Sequence, residues 1–160
     1  MTRLNTTYLG MKLRSPIVVS ACTLSEEVDN IVRMEDAGAG AVVMFSMFEE
    51  QIRKEEMRME AIMQSTNNVF AEASDFFPDL DEYHVATAQY LETVRMAKER
   101  VKIPIIGSLN GITPKGWIDY AKQLEQAGAD ALEGNIFYIP ADIRLSGVEV
   151  EQRYLDIITL

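Results

Sequence analysis

The chain has 160 residues, 48% of them hydrophobic, and carries 15 basic against 25 acidic side chains for a formal net charge of −10. That length supports one domain with a real core and is too short for two; the acidic balance offers no basic stripe for a phosphate backbone, so no nucleic-acid partner is expected. A single cysteine, Cys22, and a single histidine, His84, exclude an internal disulfide and a Cys- or His-rich metal site, and no run reaches the roughly 18 apolar residues of a membrane span.

The start of the chain lacks a secretory apolar core, so a reducing, cytoplasmic setting and no membrane partner are expected. TTYLG and MKLRS alternate about Gly10 and predict a small β-hairpin. PIVVS (16–20) is a short run rich in β-branched residues, typical of a strand buried on both faces. Ser25 is placed to cap the helix EEVDNIVRMEDAG, with Glu26 and Glu27 at its positive end, an apolar face of Val28, Ile31, Val32 and Met34, and a stop at Gly38. AVVMF (41–45) predicts the next strand.

The pattern then breaks into an excursion over about 49–85, longer than an ordinary connection and of the kind that forms lids or sites. Within it, Arg53, Lys54, Glu55 and Glu56 read as a solvated helical face, and Met57, Met59 and Met63 as packing. A helix is predicted over 86–101, with Leu91, Val94 and Met96 among its apolar positions. IPIIGS predicts a third strand, and Thr113-Pro114 opens a helix in cap-then-proline order, with a stripe of Trp117, Ile118, Ala121 and Leu124 ending at Gly128. ALEGNIF predicts a fourth strand, and VEVEQRYLDIITL a last helix without a stop signal, as if the chain were cut there.

The chain nearly repeats itself. SPIVVSACTLS returns as IPIIGSLNGIT at an offset of 88 (104 − 16), and AGAGAVVM (37–44) returns as AGADALEG (127–134) at an offset of 90 (127 − 37). Strands alternating with helices imply parallel neighbours joined by right-handed crossovers. The repeat, and polar residues expected just past each strand (Ser20, Ser46, Ser108 with Asn110, and Asn135), favour a (β/α)8 barrel over a doubly wound sheet. The expected fold is therefore α/β: one domain over 1–160, the amino-terminal half of a TIM barrel, with four parallel strands and their helices behind a small hairpin. Half a barrel leaves strand edges and apolar surface open, so a second copy or a missing carboxyl-terminal half is expected to cover them.

LNTTYLGMKLRSPIVVSACTLSEEVDNIVRMEDAGAGAVV, FEEQI, SLNG, GWIDYAKQLEQAGADALE and NIFYIPAD together resemble the amino-terminal half of the dihydroorotate dehydrogenase family, most of all its bacterial dihydroorotate-dehydrogenase-like branch. The resemblance implies an FMN-dependent oxidoreductase linked to pyrimidine biosynthesis, moving hydride between a small-molecule substrate and flavin N5. It implies that Ser20, Ala21 and Cys22 take the place of a flavin-contacting Ala-Ser-Gly turn. Ser46 stands where a serine follows a strand-end lysine, and Asn135 matches the first residue of an Asn-x-Ser-Cys-Pro-Asn loop; Asn110 is a further candidate. Small residues and amides suit a flat ring whose carbonyls and nitrogens need donors.

Two departures stand beside these matches. Phe45 replaces the lysine, removing a positive charge that would favour anionic reduced flavin. Tyr138 stands at the proton-abstracting Cys or Ser, flanked by Phe137 and Pro140, and a phenol is a poor base near neutral pH. Both count against dihydroorotate itself as substrate. Phosphate grips in such barrels come from loops after the seventh and eighth strands, so the 160-residue chain is expected to bind FMN weakly or not at all. Two alternatives remain open at this point: a degenerate paralogue or fragment that binds no flavin, and a cofactor-free sugar-phosphate isomerase or aldolase using Glu49, Glu50 or Glu133.

Overall fold

The computed structural model describes residues 4–50, 52, 54, 57, 85–111, 113–136 and 138–159. A hairpin of β1 (Thr6–Tyr8) and β2 (Met11–Leu13) opens the chain, its turn made by Leu9 and Gly10 at positive φ. A parallel sheet follows in the order β3 (Val18–Val19), β4 (Ala41–Phe48), β5 (Ile105–Gly111) and β6 (Ala131–Ile136). Among the described residues it is accompanied by the helices α1 (Val28–Asp36), α2 (Val85–Arg100), α3 (Pro114–Gln126) and α4 (Gly147–Ile158). Each strand pairs with the next in sequence, as in half of a TIM barrel.

Strand alternation divides the sheet into two faces. Val42, Met44, Ile105 and Leu109 join Ile31 of α1, Tyr90, Val94 and Ala97 of α2 and Leu124 of α3 in the main core. On the opposite face Ala41, Val43 and Ile106 pack with Leu13 of the hairpin, against partly buried Val18 and Ala131. Each buried Val, Ile or Leu contributes about 1.5–3 kcal/mol, so the helix-side core dominates.

The repeat seen in the sequence is repeated bond for bond. After α1, the amides of Ala37, Gly38 and Ala39 donate to the carbonyls of Arg33, Glu35 and Met34; after α3, those of Ala127, Gly128 and Ala129 donate to Gln123, Glu125 and Leu124. Gly38 and Gly128 hold φ of 103° and 97°, which side chains disfavour. Val18 pairs with Ala41 as Ile106 pairs with Ala131.

Several local expectations are corrected. Ser25 does not cap α1: a three-ten turn over Thr23–Glu26 precedes the helix, and the buried Ser25 hydroxyl donates to the Cys22 carbonyl at 2.8 Å. Thr113 precedes α3 but its hydroxyl is taken by Glu49. Met57 faces solvent, and so does Met96, since α2 buries Tyr90, Val94 and Ala97 instead. The strand over 16–20 shortens to Val18–Val19, whereas AVVMF extends through Phe48. Most of the excursion, His84, Met59, Met63 and the side chain of Trp117 lie outside the described residues.

Candidate functional site

The concave face carries a polar row across three strands. Register sets Ser46 of β4 beside Ser108 of β5, and Ser108 beside Glu133 of β6. Their side chains connect: Ser46 Oγ lies 2.9 Å from Ser108 Oγ, and the Ser108 hydroxyl donates to Glu133 Oε1 at 3.0 Å. Two residues nearer the carboxyl ends, Phe48, Asn110 and Asn135 stand side by side in register. The polar residues thus occupy the last turns of the strands themselves rather than following them, because β4, β5 and β6 each run further than their apolar stretches.

A bulge makes the row possible. Val43 pairs with Ile106 but Ser46 with Ser108, so β4 spends one extra residue at Met44–Phe45. Pro104 accepts from Val42 of β4 and Ile105 from Asp130, so even-numbered residues of β5 turn their backbone groups toward β4. At the bulge the Tyr90 hydroxyl enters from α2 and meets the Ser108 backbone. The Ser108 amide donates to Tyr90 Oη at 3.0 Å, and Tyr90 Oη donates to the Ser108 carbonyl at 3.3 Å. Phe45 meets Tyr90 edge-on, ring centroids 4.7 Å apart. Burial pushes the Tyr90 phenol up to about 12; the Ser108 backbone bond opposes that shift and the Glu133 carboxylate adds to it.

Glu49 closes the top of the β4–β5 pair. It is buried, and its carboxylate accepts from the Thr113 amide at 3.0 Å and from the Thr113 hydroxyl. This fixes the loop after β5 to the end of β4, a structural use of one carboxylate that the sequence offered as catalytic. Below the row, a cavity of about 520 Å³ lies between the hairpin and the sheet, lined by Thr6, Tyr8, Ser20, Val43, Ile106 and Glu133 among others. Its size is that of a small-molecule site, and Glu133 is the one charged residue among its described lining.

The remaining candidates fall around this face. Ser20 lines the cavity, Ala21 is half-buried against the hairpin-side core, and Cys22 is half-buried and free. Tyr138, two residues past β6, sits under the Arg153 guanidinium of α4, 4.5 Å from its ring centroid. Among the described residues no group of three or more His, Cys, Asp or Glu side chains is placed to hold a metal ion, and no helix is long and apolar enough to cross a membrane. Sequence reasoning missed Glu133 as part of the row and Tyr90 altogether. The parity of ALEGNI, with Glu133 and Asn135 on one strand face, was the available signal for the first.

No protein-family profile matches the chain. Over 136 residues, 85% of its length, it is 24% identical to the catalytic subunit of dihydroorotate dehydrogenase B (NAD(+)) from Thermoplasma acidophilum. The chain spans less than half, 42%, of that relative. The similarity is distant, and it agrees with the half-barrel topology.

Proposed function

We propose that the chain is the amino-terminal half of a flavin-dependent oxidoreductase barrel of the dihydroorotate dehydrogenase kind, and that its concave polar row seats the isoalloxazine ring of FMN. The supporting observation is the hydrogen-bonded row Ser46–Ser108–Glu133 with Asn110 and Asn135 in register above it. A distant relative that is a dehydrogenase by name supports a redox reading. FMN, when bound, supplies the hydride acceptor. Asn110 and Asn135 would donate to ring carbonyls and nitrogens, Ser20, Ala21 and Cys22 would let backbone approach the ring, and the Ser46–Ser108–Glu133 chain would orient the hydroxyls.

The fit holds for the ring and not for the phosphate. The described lining of the cavity brings hydroxyls but, in Glu133, an anion rather than a cation. Phe45, at the position of the family's lysine, packs on Tyr90. Tyr138, at the position of the family's proton-abstracting group, lies against Arg153. These two exchanges also favour a second reading, a scaffold that has lost the reaction.

The test is a titration of riboflavin and of FMN, followed by flavin fluorescence. Weak binding, equal for the two ligands and reduced about tenfold in Asn135→Ala, is expected, since loss of one or two ring hydrogen bonds costs about 1–2 kcal/mol. Failure of both flavins to bind at millimolar concentration contradicts the proposal and leaves the scaffold reading.

A further inference from the structure

The two units of the chain meet each other through a junction whose chemistry is duplicated at the outer edges, where no described residue takes it up. Inside the chain, Val42 of β4 donates its amide to Pro104 at the start of β5, at 3.1 Å, and Val42 and Val43 pair with Ile105 and Ile106. The repeat offsets of 88 and 90 make Pro16, Ile17 and Val18 the counterparts of Pro104, Ile105 and Ile106, and Leu132 and Glu133 those of Val42 and Val43. The correspondence is physical as well as numerical. Gly40 donates to Ile17 O at 2.7 Å as Asp130 donates to Ile105 O at 2.8 Å, and the pairing of Val18 with Ala41 matches that of Ile106 with Ala131. Leu132 therefore presents its amide on the outer edge of β6, as Val42 presents its own to β5, and Pro16 presents its carbonyl on the outer edge of β3.

The helices show the same unfinished junction. α2, which follows the first unit, packs against α3 of the second. α4 occupies the corresponding place after the second unit, and there Val148, Leu155 and Ile158 are 74%, 53% and 72% exposed. On the opposite edge Ile17 is 65% exposed.

We propose that a second copy of the chain closes the barrel: β6 of each copy pairs with β3 of the other in the register of β4 on β5, with Leu132 donating to the partner's Pro16, and the exposed stripe of α4 packing on the partner's α1. Two four-stranded halves give the eight parallel strands of a closed barrel with two-fold symmetry, which removes both open edges. The cavity against the hairpin of one copy then faces that of the other. A second copy fits because the edges are complementary to each other by the chain's own internal rule. This inference concerns assembly and does not rest on flavin binding. At −10 per copy, the halves repel, so association tightens as salt screens them.

The test is light scattering on the size-separated 160-residue chain across concentration, with amide exchange at Leu132. A species of about 36 kDa, twice the 18.0 kDa of one chain, is expected, with slowed exchange of the Leu132 amide in that species. Ile17→Lys and Leu155→Lys alter residues already exposed in the single chain, so each leaves the circular dichroism unchanged while raising the dissociation constant at least about tenfold. A chain that stays monomeric at high concentration, including one that associates only with a separate carboxyl-terminal half, overturns the proposal. So does a dimer indifferent to both substitutions, or one in which the Leu132 amide exchanges freely.

Discussion

In the first strand–helix–strand unit the amide of Ile17 is met by Ser15 Oγ at 3.1 Å, whereas in the second the amide of Ile105 is met by Asp130 Oδ2 at 2.8 Å. The same orphan donor at the start of a strand is satisfied from opposite directions. In the first unit the backbone of Ser15 crosses where the Asp130 side chain stands in the second, so the residue equivalent to Asp130 is Gly40. A Cβ on Gly40 would lie 2.1 Å from the Ser15 carbonyl oxygen. The comparison teaches that the scaffold of the two units is shared down to single bonds, and that specialisation sits where they diverge. The largest divergence is the bulge in β4, filled by Tyr90, against the unbroken register of β6.

The sharpest way to break the comparison is Gly40→Ala. Backbone rather than a flexible side chain blocks the added methyl, so a loss of about 3 kcal/mol is expected by denaturant unfolding; a neutral result would mean that the two units do not differ as described. Tyr90 comes next. Its phenol keeps its proton in the fold up to about 12, above the ordinary value near 10. The contribution of the protonated phenol is thus intact below pH ~10 and is lost as pH rises through about 12, a decline on the order of 2–3 kcal/mol. Tyr90→Phe, which costs about 2 kcal/mol at neutral pH by leaving the Ser108 amide and carbonyl unmet, should lack that alkaline decline; an identical alkaline limb in both proteins would remove Tyr90 from the account.

Asp130→Ala removes the acceptor of the Ile105 amide together with the Lys98 ion pair at 2.6 Å. The pair is partly exposed and adds little, so a loss of about 1–2 kcal/mol is expected, smaller than that of Gly40→Ala at the equivalent position. The smallest effect concerns α4, where Ser146 and Glu149 form a capping box. The Ser146 amide and hydroxyl hold the Glu149 carboxyl below its ordinary range. Its contribution is present above the unfolded-state value and fades as pH falls through the lower folded one. Ser146→Ala should speed amide exchange in the first turn of α4 and weaken that acid dependence, since the backbone amide at 146 still donates to Glu149, without changing exchange in β5.

Much of this organisation is legible in the sequence because it is local. The glycine stops at Gly38 and Gly128, the turn at Gly10, the Pro114 helix start and the alternation of strand and helix each follow from residues within a few positions. The bulge is not local. Ser46 reads as a polar residue ending a strand, and only the arrival of the Tyr90 hydroxyl from α2 shows why β4 continues past it. Ser25 and Thr113 carry cap chemistry by type, yet their hydroxyls are claimed by the Cys22 carbonyl and the Glu49 carboxylate, partners set by tertiary placement. Asn110 and Asn135 each read as polar residues at strand ends, and register places them side by side. In the sequence Glu133 is a strand-end carboxylate open to a sugar-phosphate reading, and its tie to Ser108 does not show there because Ser108 lies on another strand.

The account turns on one concave face acting as a ring-binding surface, and amide chemical-shift changes on titration with riboflavin test that face residue by residue. The account expects the largest shifts at Ser46, Ser108, Asn110, Glu133 and Asn135, with the helix-side core residues Val94 and Leu124 undisturbed. Shifts confined to the outer helices, or none on that row at saturating ligand, would contradict it.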